Sequence, residues 1–142
     1  MESSPSPNPG DPVPPPGPPL PGPTAVLISR DLIFTTKIKS TAEDLGVRVV
    51  VGVDPAAAAQ LIADWRPPVV FVDLAAGEAA SPPTLARLVE GAGDGTAFVA
   101  FGSHVEAQAL ADARAAGCRE VMPRSKFTVE LLSLIRRYFD RG

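Results

Sequence analysis

The chain has 142 residues, of which 45% are hydrophobic, and a formal net charge of −3. This length allows one domain with a single core, and the weakly acidic balance without a basic run gives no reason to expect nucleic-acid binding. No apolar run approaches the roughly 18 residues that a membrane span requires, and the one cysteine cannot form an internal disulfide. Because the N-terminus also lacks a secretory signal, we expect a cytoplasmic protein that does not bind membranes.

The first part of the chain is dominated by proline. Residues 1–23 hold 11 of the 17 prolines, and proline removes backbone donors and fixes φ, so it cannot join a helix interior or a central strand. We therefore predict a disordered tail with polyproline II character at 1–23. The folded domain is expected at 24–142.

From residue 24 onward, short apolar runs alternate with segments of helical period. Residues 25–29 are predicted as a first strand, fully apolar as a central parallel strand should be. A helix follows at 32–45, and Gly46 ends it in the usual C-terminal position. Residues 47–53 are the second strand. Asp54 then caps a second helix.

The middle of the chain continues the alternation. "VVFVD", at residues 69–73, is the third strand, and the ten residues 74–83 that follow it are predicted as a loop. A short helix is expected at 83–90, a glycine-rich turn at 91–95 and a fourth strand at 97–101.

The last part of the chain supplies two more helices and a strand. We expect a helix at 105–116, an edge strand at 120–123, where proline is best tolerated, and a final helix at 128–139. The side chains predicted to be buried by this final helix are Leu131, Leu132, Ile135 and Phe139.

Strict alternation of five strands and five helices implies an α/β fold, a three-layer αβα sandwich around a parallel sheet. In such sheets, ligands and chemistry lie outside the carboxyl ends of the strands. Asp73 ends the third strand, and a carboxylate there is costly unless a neighbour compensates it. We therefore expect a functional role for Asp73.

The five βα units, the acid that ends strand three and the "AAGCREVMP" passage into strand five resemble a response-regulator receiver domain over residues 24–142. The resemblance implies a flavodoxin-like sheet in the order 2-1-3-4-5. It also implies transfer of a phosphoryl group from a histidine kinase to the strand-three aspartate, with Mg²⁺ required.

Carried over position by position, the resemblance makes Asp73 the phosphoacceptor equivalent. The acidic pair that holds Mg²⁺ in the family corresponds to Ser29 and Arg30, the switch hydroxyl to Gly102, and the lysine of strand five to Arg124. Only Asp73 keeps the family residue. The chain therefore resembles a degenerate receiver, or pseudo-receiver.

These departures have physical consequences. Mg²⁺ prefers oxygen ligands in near-octahedral geometry, so a hydroxyl and a guanidinium in place of two carboxylates should lower its affinity steeply. We expect no cofactor and no metal. Arg30 or Arg124 would instead neutralise Asp73, since a planar guanidinium pairs well with a carboxylate.

Ser103 and His104 follow strand four and are candidate accessory residues near Asp73. A hydrolase would need a nucleophile elbow of the GxSxG type, which the chain lacks, and catalytic zinc needs three protein ligands. We therefore do not expect an enzyme.

The function expected from these observations is a stand-alone pseudo-receiver in bacterial two-component signalling. It would dock on a histidine kinase or another signalling protein through residues 105–139, a surface that also offers a contact for a homodimer. One alternative is a true response regulator that accepts phosphate on Asp73. Another is a flavodoxin-like small-molecule-binding protein or enzyme, which would need an apolar pocket near residues 102–104.

Overall fold

A computed structural model describes residues 23–139. The five strands are β1 (Thr24–Ile28), β2 (Arg48–Gly52), β3 (Val69–Asp73), β4 (Ala97–Gly102) and β5 (Glu120–Pro123). The α-helices are α1 (Leu32–Asp44), α2 (Pro55–Trp65), α3 (Pro82–Ala92), α4 (Ala107–Ala115) and α5 (Arg124–Phe139). A 3-10 turn, Gly77–Ala80, precedes α3.

All strand pairs are parallel, and the order across the sheet is β2-β1-β3-β4-β5. Both the fold class and the strand order predicted from the sequence are confirmed. Every residue of β1, β3 and β4 is buried, because helices cover both faces of a parallel sheet and its central strands meet no water.

Side chains that alternate along each strand feed two separate cores. In β3, Val69 and Phe71 point to one face and Val70 and Val72 to the other. Helices α1 and α5 cover the first face, and α2, α3 and α4 cover the second. Because all strand pairs are parallel, the five strands end at one edge, here called the carboxyl edge, where the βα loops lie.

Two helices on the carboxyl edge begin after an aspartate that satisfies a free backbone N–H group, and for Asp54 the sequence predicts this cap. The Oδ1 atom of Asp31 accepts a hydrogen bond from the Phe34 N–H at 2.9 Å, and Asp54 accepts one from Ala57 at 2.8 Å.

The final helix differs from its prediction in start and in phase. It begins at Arg124, so Phe127 is part of it and is fully buried. With 3.6 residues per turn, a stripe that includes Phe127 and Leu131 continues to Leu134, which is 0% exposed. The prediction that Leu132 is buried is wrong: it is 42% exposed.

Smaller differences affect the boundaries. The segment predicted as a loop at 74–83 contains the 3-10 turn, and α3 continues to Ala92, so Gly91 is helical instead of part of a turn. The fourth helix begins at Ala107, two residues later than predicted. The predicted tail lies outside the described residues except for Pro23, whose carbonyl accepts a hydrogen bond from Arg48.

Within residues 23–139, every helix is too short or too polar to cross a membrane.

Candidate functional site around Asp73

Asp73 is the last residue of β3 and is only 2% exposed. The strand carries it to the carboxyl edge between β1 and β4, its two neighbours in the sheet. An ionised carboxylate at this depth loses much of its hydration and must recover it from protein donors or a cation. The surroundings of this side chain therefore decide what the site can do.

Both carboxylate oxygens of Asp73 have donors. Oδ1 accepts hydrogen bonds from the Ala75 N–H at 2.9 Å and from Nη2 of Arg124 at 3.0 Å. Oδ2 accepts one from the Ser29 hydroxyl at 3.1 Å, and that hydroxyl in turn accepts one from the Asp31 N–H at 3.1 Å. The charge is thus compensated by one guanidinium and two polar donors.

Arg124 reaches Asp73 because it is the first residue of α5, immediately after β5. Its Nη1 atom also lies 3.7 Å from Oδ2 of Asp31, a second carboxylate. The guanidinium stacks over the rings of Phe34 at 4.6 Å and Phe101 at 5.4 Å, within the range of attractive cation–π contacts. Arg124 therefore bridges Asp73 and Asp31 above two aromatic rings. Asp31 was not predicted from the sequence to be part of this site.

Arg30, the other arginine expected to face Asp73, does not do so. It is exposed and makes no ion pair within residues 23–139; its Nη1 lies 3.3 Å from where a Cβ on Gly77 would be. Successive residues of an extended chain point to opposite sides. Since Ser29 is buried against Asp73, Arg30 must point away, and the expectation that it pairs with Asp73 is wrong.

The position of the switch hydroxyl, Gly102, is closed by a neighbouring side chain. In the parallel pair of β3 and β4, Asp73 lies opposite Phe101, so Leu74 lies beside Gly102. A Cβ on Gly102 would be 3.2 Å from both Cβ and Cδ1 of Leu74, tighter than ordinary packing. Leu74 was not singled out from the sequence, although the strand order and the end of β3 together place it there.

Ser103 and His104 lie exposed after β4. The Ser103 hydroxyl accepts a hydrogen bond from the Val105 N–H at 3.3 Å, and His104 makes no contact with Asp73 among the described residues. The cavity beside Ser103 has a volume of about 100 Å³, below the usual size of a ligand pocket. This geometry gives no support to a small-molecule site at residues 102–104.

The donors around Asp73 do not fit a magnesium ion. Mg²⁺ is held in proteins by carboxylates and water oxygens in octahedral geometry, whereas Asp73 faces a guanidinium and its Oδ1 already accepts two N–H groups. Asp31, the other nearby carboxylate, lies on the same guanidinium. Within residues 23–139, no group of three His, Cys, Asp or Glu side chains could hold a metal.

Four titratable groups outside this site have a pKa that the fold shifts, namely Cys118, Glu120, Arg137 and Tyr138. Burial tends to raise the pKa of Glu120, but hydrogen bonds from Tyr138 and Arg137 and the charge of Arg137 lower it below its ordinary value. Burial raises the pKa of the Cys118 thiol to about 11, so it is a thiol at neutral pH, as expected for a small buried residue.

No protein-family model and no curated protein matches this chain. Solved structures with the same architecture do. A response regulator from Thermotoga maritima is 19% identical with a TM-score of 0.69 and covers 84% of this chain and 98% of its own. The receiver domain of the Francisella response regulator 1452 is 17% identical, with a TM-score of 0.69 and the same coverages.

A two-component response regulator from Clostridium difficile superposes with a TM-score of 0.70 at 14% identity, covering 84% of this chain and 97% of its own. At such low identity these matches establish the fold. The chain has the receiver-domain fold of response regulators, and its Asp73 lies where β3 ends.

Proposed function

We propose that this domain is a receiver-like signalling module of the two-component type that acts by protein–protein docking, without magnesium-dependent phosphorylation of Asp73. The observation that carries the proposal is the 3.0 Å contact between Arg124 and Asp73. Arg124 stands at the position of the family's lysine and is the cation paired with Asp73 among residues 23–139. The acids that hold Mg²⁺ in the family are replaced here by Ser29 and Arg30.

Three further features support a module that rests in one state. The carboxylate accepts three hydrogen bonds from protein donors. The guanidinium is held from its other side by Asp31 and by two aromatic rings. Gly102 has no hydroxyl to follow a change at Asp73, and Leu74 fills the space beside it.

The phosphorylation half of the proposal is tested by mass spectrometry of the intact protein after incubation with acetyl phosphate and Mg²⁺. We expect no phosphoryl adduct. The matched variant is Ser29→Asp/Arg30→Asp, which restores the two acids that the family carries and should gain magnesium affinity. An adduct on the unmodified chain that Asp73→Asn abolishes would overturn the proposal and identify a phosphoaccepting response regulator.

The docking half concerns the surface of residues 105–139. Its exposed apolar side chains include Val105 at 75%, Val129 at 83% and Leu132 at 42% exposure, and exposed apolar groups of this size are favoured contact points when they cluster. A histidine kinase, another signalling protein or a second copy of the chain is the proposed partner.

A photo-crosslinking amino acid placed at Val129 tests this surface in cells. The matched position is Ile33, which is 86% exposed but lies on α1, outside the proposed surface. We expect a defined adduct from Val129, none from Ile33, and no change when Asp73→Asn is added. Adducts from Ile33 alone, or adducts that require Asp73, would contradict docking through 105–139.

A further inference from the structure

A groove lies between α2 and α3, on the side of the sheet opposite to the carboxyl edge. Its volume is about 520 Å³, within the size range of small-molecule sites. Its lining includes Arg66, which follows α2, and Thr96, which precedes β4. It shares no lining residue with the Asp73 site.

The floor of the groove is apolar and built from small residues. Ile62 and Leu88 are 6% and 8% exposed, and three alanines and two glycines also line the groove. A Cβ added to Gly91 or Gly95 would meet no atom within 4 Å. No side chain occupies the groove at these two positions, which leaves its apolar lining accessible to a nonpolar ring.

Two arginines, Arg66 and Arg87, line the groove. Both are exposed, and neither pairs with a carboxylate among residues 23–139, in contrast to Arg124, Arg137 and Lys126. Two unpaired guanidiniums beside one cavity attract an anion, and their planar forks suit phosphate oxygens.

The backbone of Arg66 gives a second, independent reason to look for a ligand in this groove. Its φ is 43° and its ψ is 58°, the left-handed conformation, and it is the one non-glycine residue with positive φ in the described part of the chain. A helix usually ends there with glycine, and any other residue is strained. This strained position is occupied by an arginine that lines the groove.

We propose that the groove binds a small organic anion that joins a phosphate to a flat ring, of the aryl or nucleoside monophosphate class. The guanidiniums of Arg66 and Arg87 hold the phosphate, and the ring lies on the floor beside Gly91. This site is separate from the Asp73 site, and its proposal does not depend on the proposed signalling function.

Isothermal titration calorimetry with AMP as the probe tests the proposal, with inorganic phosphate and adenosine as its two halves. We expect AMP to bind at least tenfold more tightly than either half, because charge and floor both contribute. Arg87→Ala and Gly91→Leu should each weaken AMP binding tenfold or more, the second by filling the groove from a position where an added Cβ meets no atom within 4 Å.

Arg66→Gly separates binding from folding. It should weaken AMP binding tenfold or more while raising the melting temperature, because glycine relieves the left-handed strain. Arg136→Ala, an exposed arginine on α5 outside the groove, should leave binding unchanged, and so should Asp73→Asn.

Four results would overturn the proposal. These are no saturable AMP binding, equal affinity for inorganic phosphate and AMP, an Arg136→Ala variant as weak as Arg66→Gly, or a polyglutamate peptide that binds more tightly than AMP. The last would identify the groove as a site for an acidic partner segment.

Discussion

At the carboxyl edge Arg124 lies between Asp73 and Asp31 over two aromatic rings, whereas at the α2–α3 groove Arg66 and Arg87 have no acidic partner among residues 23–139. The same side-chain chemistry serves different purposes because its surroundings differ. A guanidinium whose charge is compensated internally stabilises the fold. One left uncompensated beside an open cavity is available to a ligand.

The largest effect is expected from Arg124→Met. The variant keeps an apolar stem over the rings but leaves Asp73 buried without its cation, which should lower the free energy of unfolding by about 2 to 3 kcal/mol, less than for a fully buried pair because a part of Arg124 is exposed. Urea denaturation measures the change. Arg30→Met, on the same edge, should change stability by less than about 0.5 kcal/mol.

If Arg124→Met proves as harmless as Arg30→Met, Arg124 is not the cation that compensates Asp73. A cycle with Asp73→Asn sharpens the result, because the neutral amide should remove most of the cost of losing Arg124. Purely additive effects would show that the pair contributes little.

A smaller effect is expected when the switch hydroxyl is restored. Gly102→Thr places a branched side chain against Leu74, where a Cβ already comes within 3.2 Å, and should cost about 1 to 3 kcal/mol by overpacking. Leu74→Ala in the same chain should recover a large share of this loss in thermal denaturation. If Gly102→Thr alone is as stable as the parent chain, Leu74 does not close the space beside residue 102.

At the groove the corresponding arginine substitution should have the opposite sign. Arg66→Gly replaces a strained residue at φ 43° and should raise the free energy of unfolding by up to about 1 kcal/mol, the relieved strain exceeding the added flexibility of the unfolded chain. Chemical denaturation measures the change. The control is Arg87→Gly, which should destabilise the protein because glycine lowers helix propensity at an unstrained position. Destabilisation by Arg66→Gly would argue that Arg66 is structural.

The smallest effect concerns Glu120, at the other end of β5 from Arg124, where the carboxylate accepts a hydrogen bond from Tyr138 and pairs with the exposed Arg137. Because its pKa is lowered in the folded state, the ionised group stabilises the protein above the pKa of the unfolded chain. That contribution, about 0.5 to 1 kcal/mol for so exposed a pair, should disappear as the pH falls through the folded pKa.

Unfolding curves of the parent chain and Glu120→Gln across the acid range measure this dependence. The difference in stability between them should be largest near neutral pH and vanish at low pH. A difference that does not change with pH would contradict a role for the charge of Glu120.

The sequence predicts the architecture well because buried parallel strands such as "VVFVD" are continuous apolar runs. The phase of α5 was missed because the assumed start at 128 left out Phe127, whose inclusion turns the buried stripe from Leu132 to Leu134. The sequence pattern also could not show which arginine, Arg30 or Arg124, faces Asp73. That choice depends on the direction of Arg30 after a buried Ser29, a matter of strand geometry that only coordinates fix.

The most direct test of the central claim is a titration with Mg²⁺ followed by NMR at the Ala75 amide and the Arg124 guanidinium, the two N–H groups that donate to Oδ1 of Asp73. If Arg124 replaces the metal, neither signal shifts in a saturable way, while Ser29→Asp/Arg30→Asp gains such a shift. Saturable movement of both signals in the parent chain, with release of the guanidinium, would contradict the account.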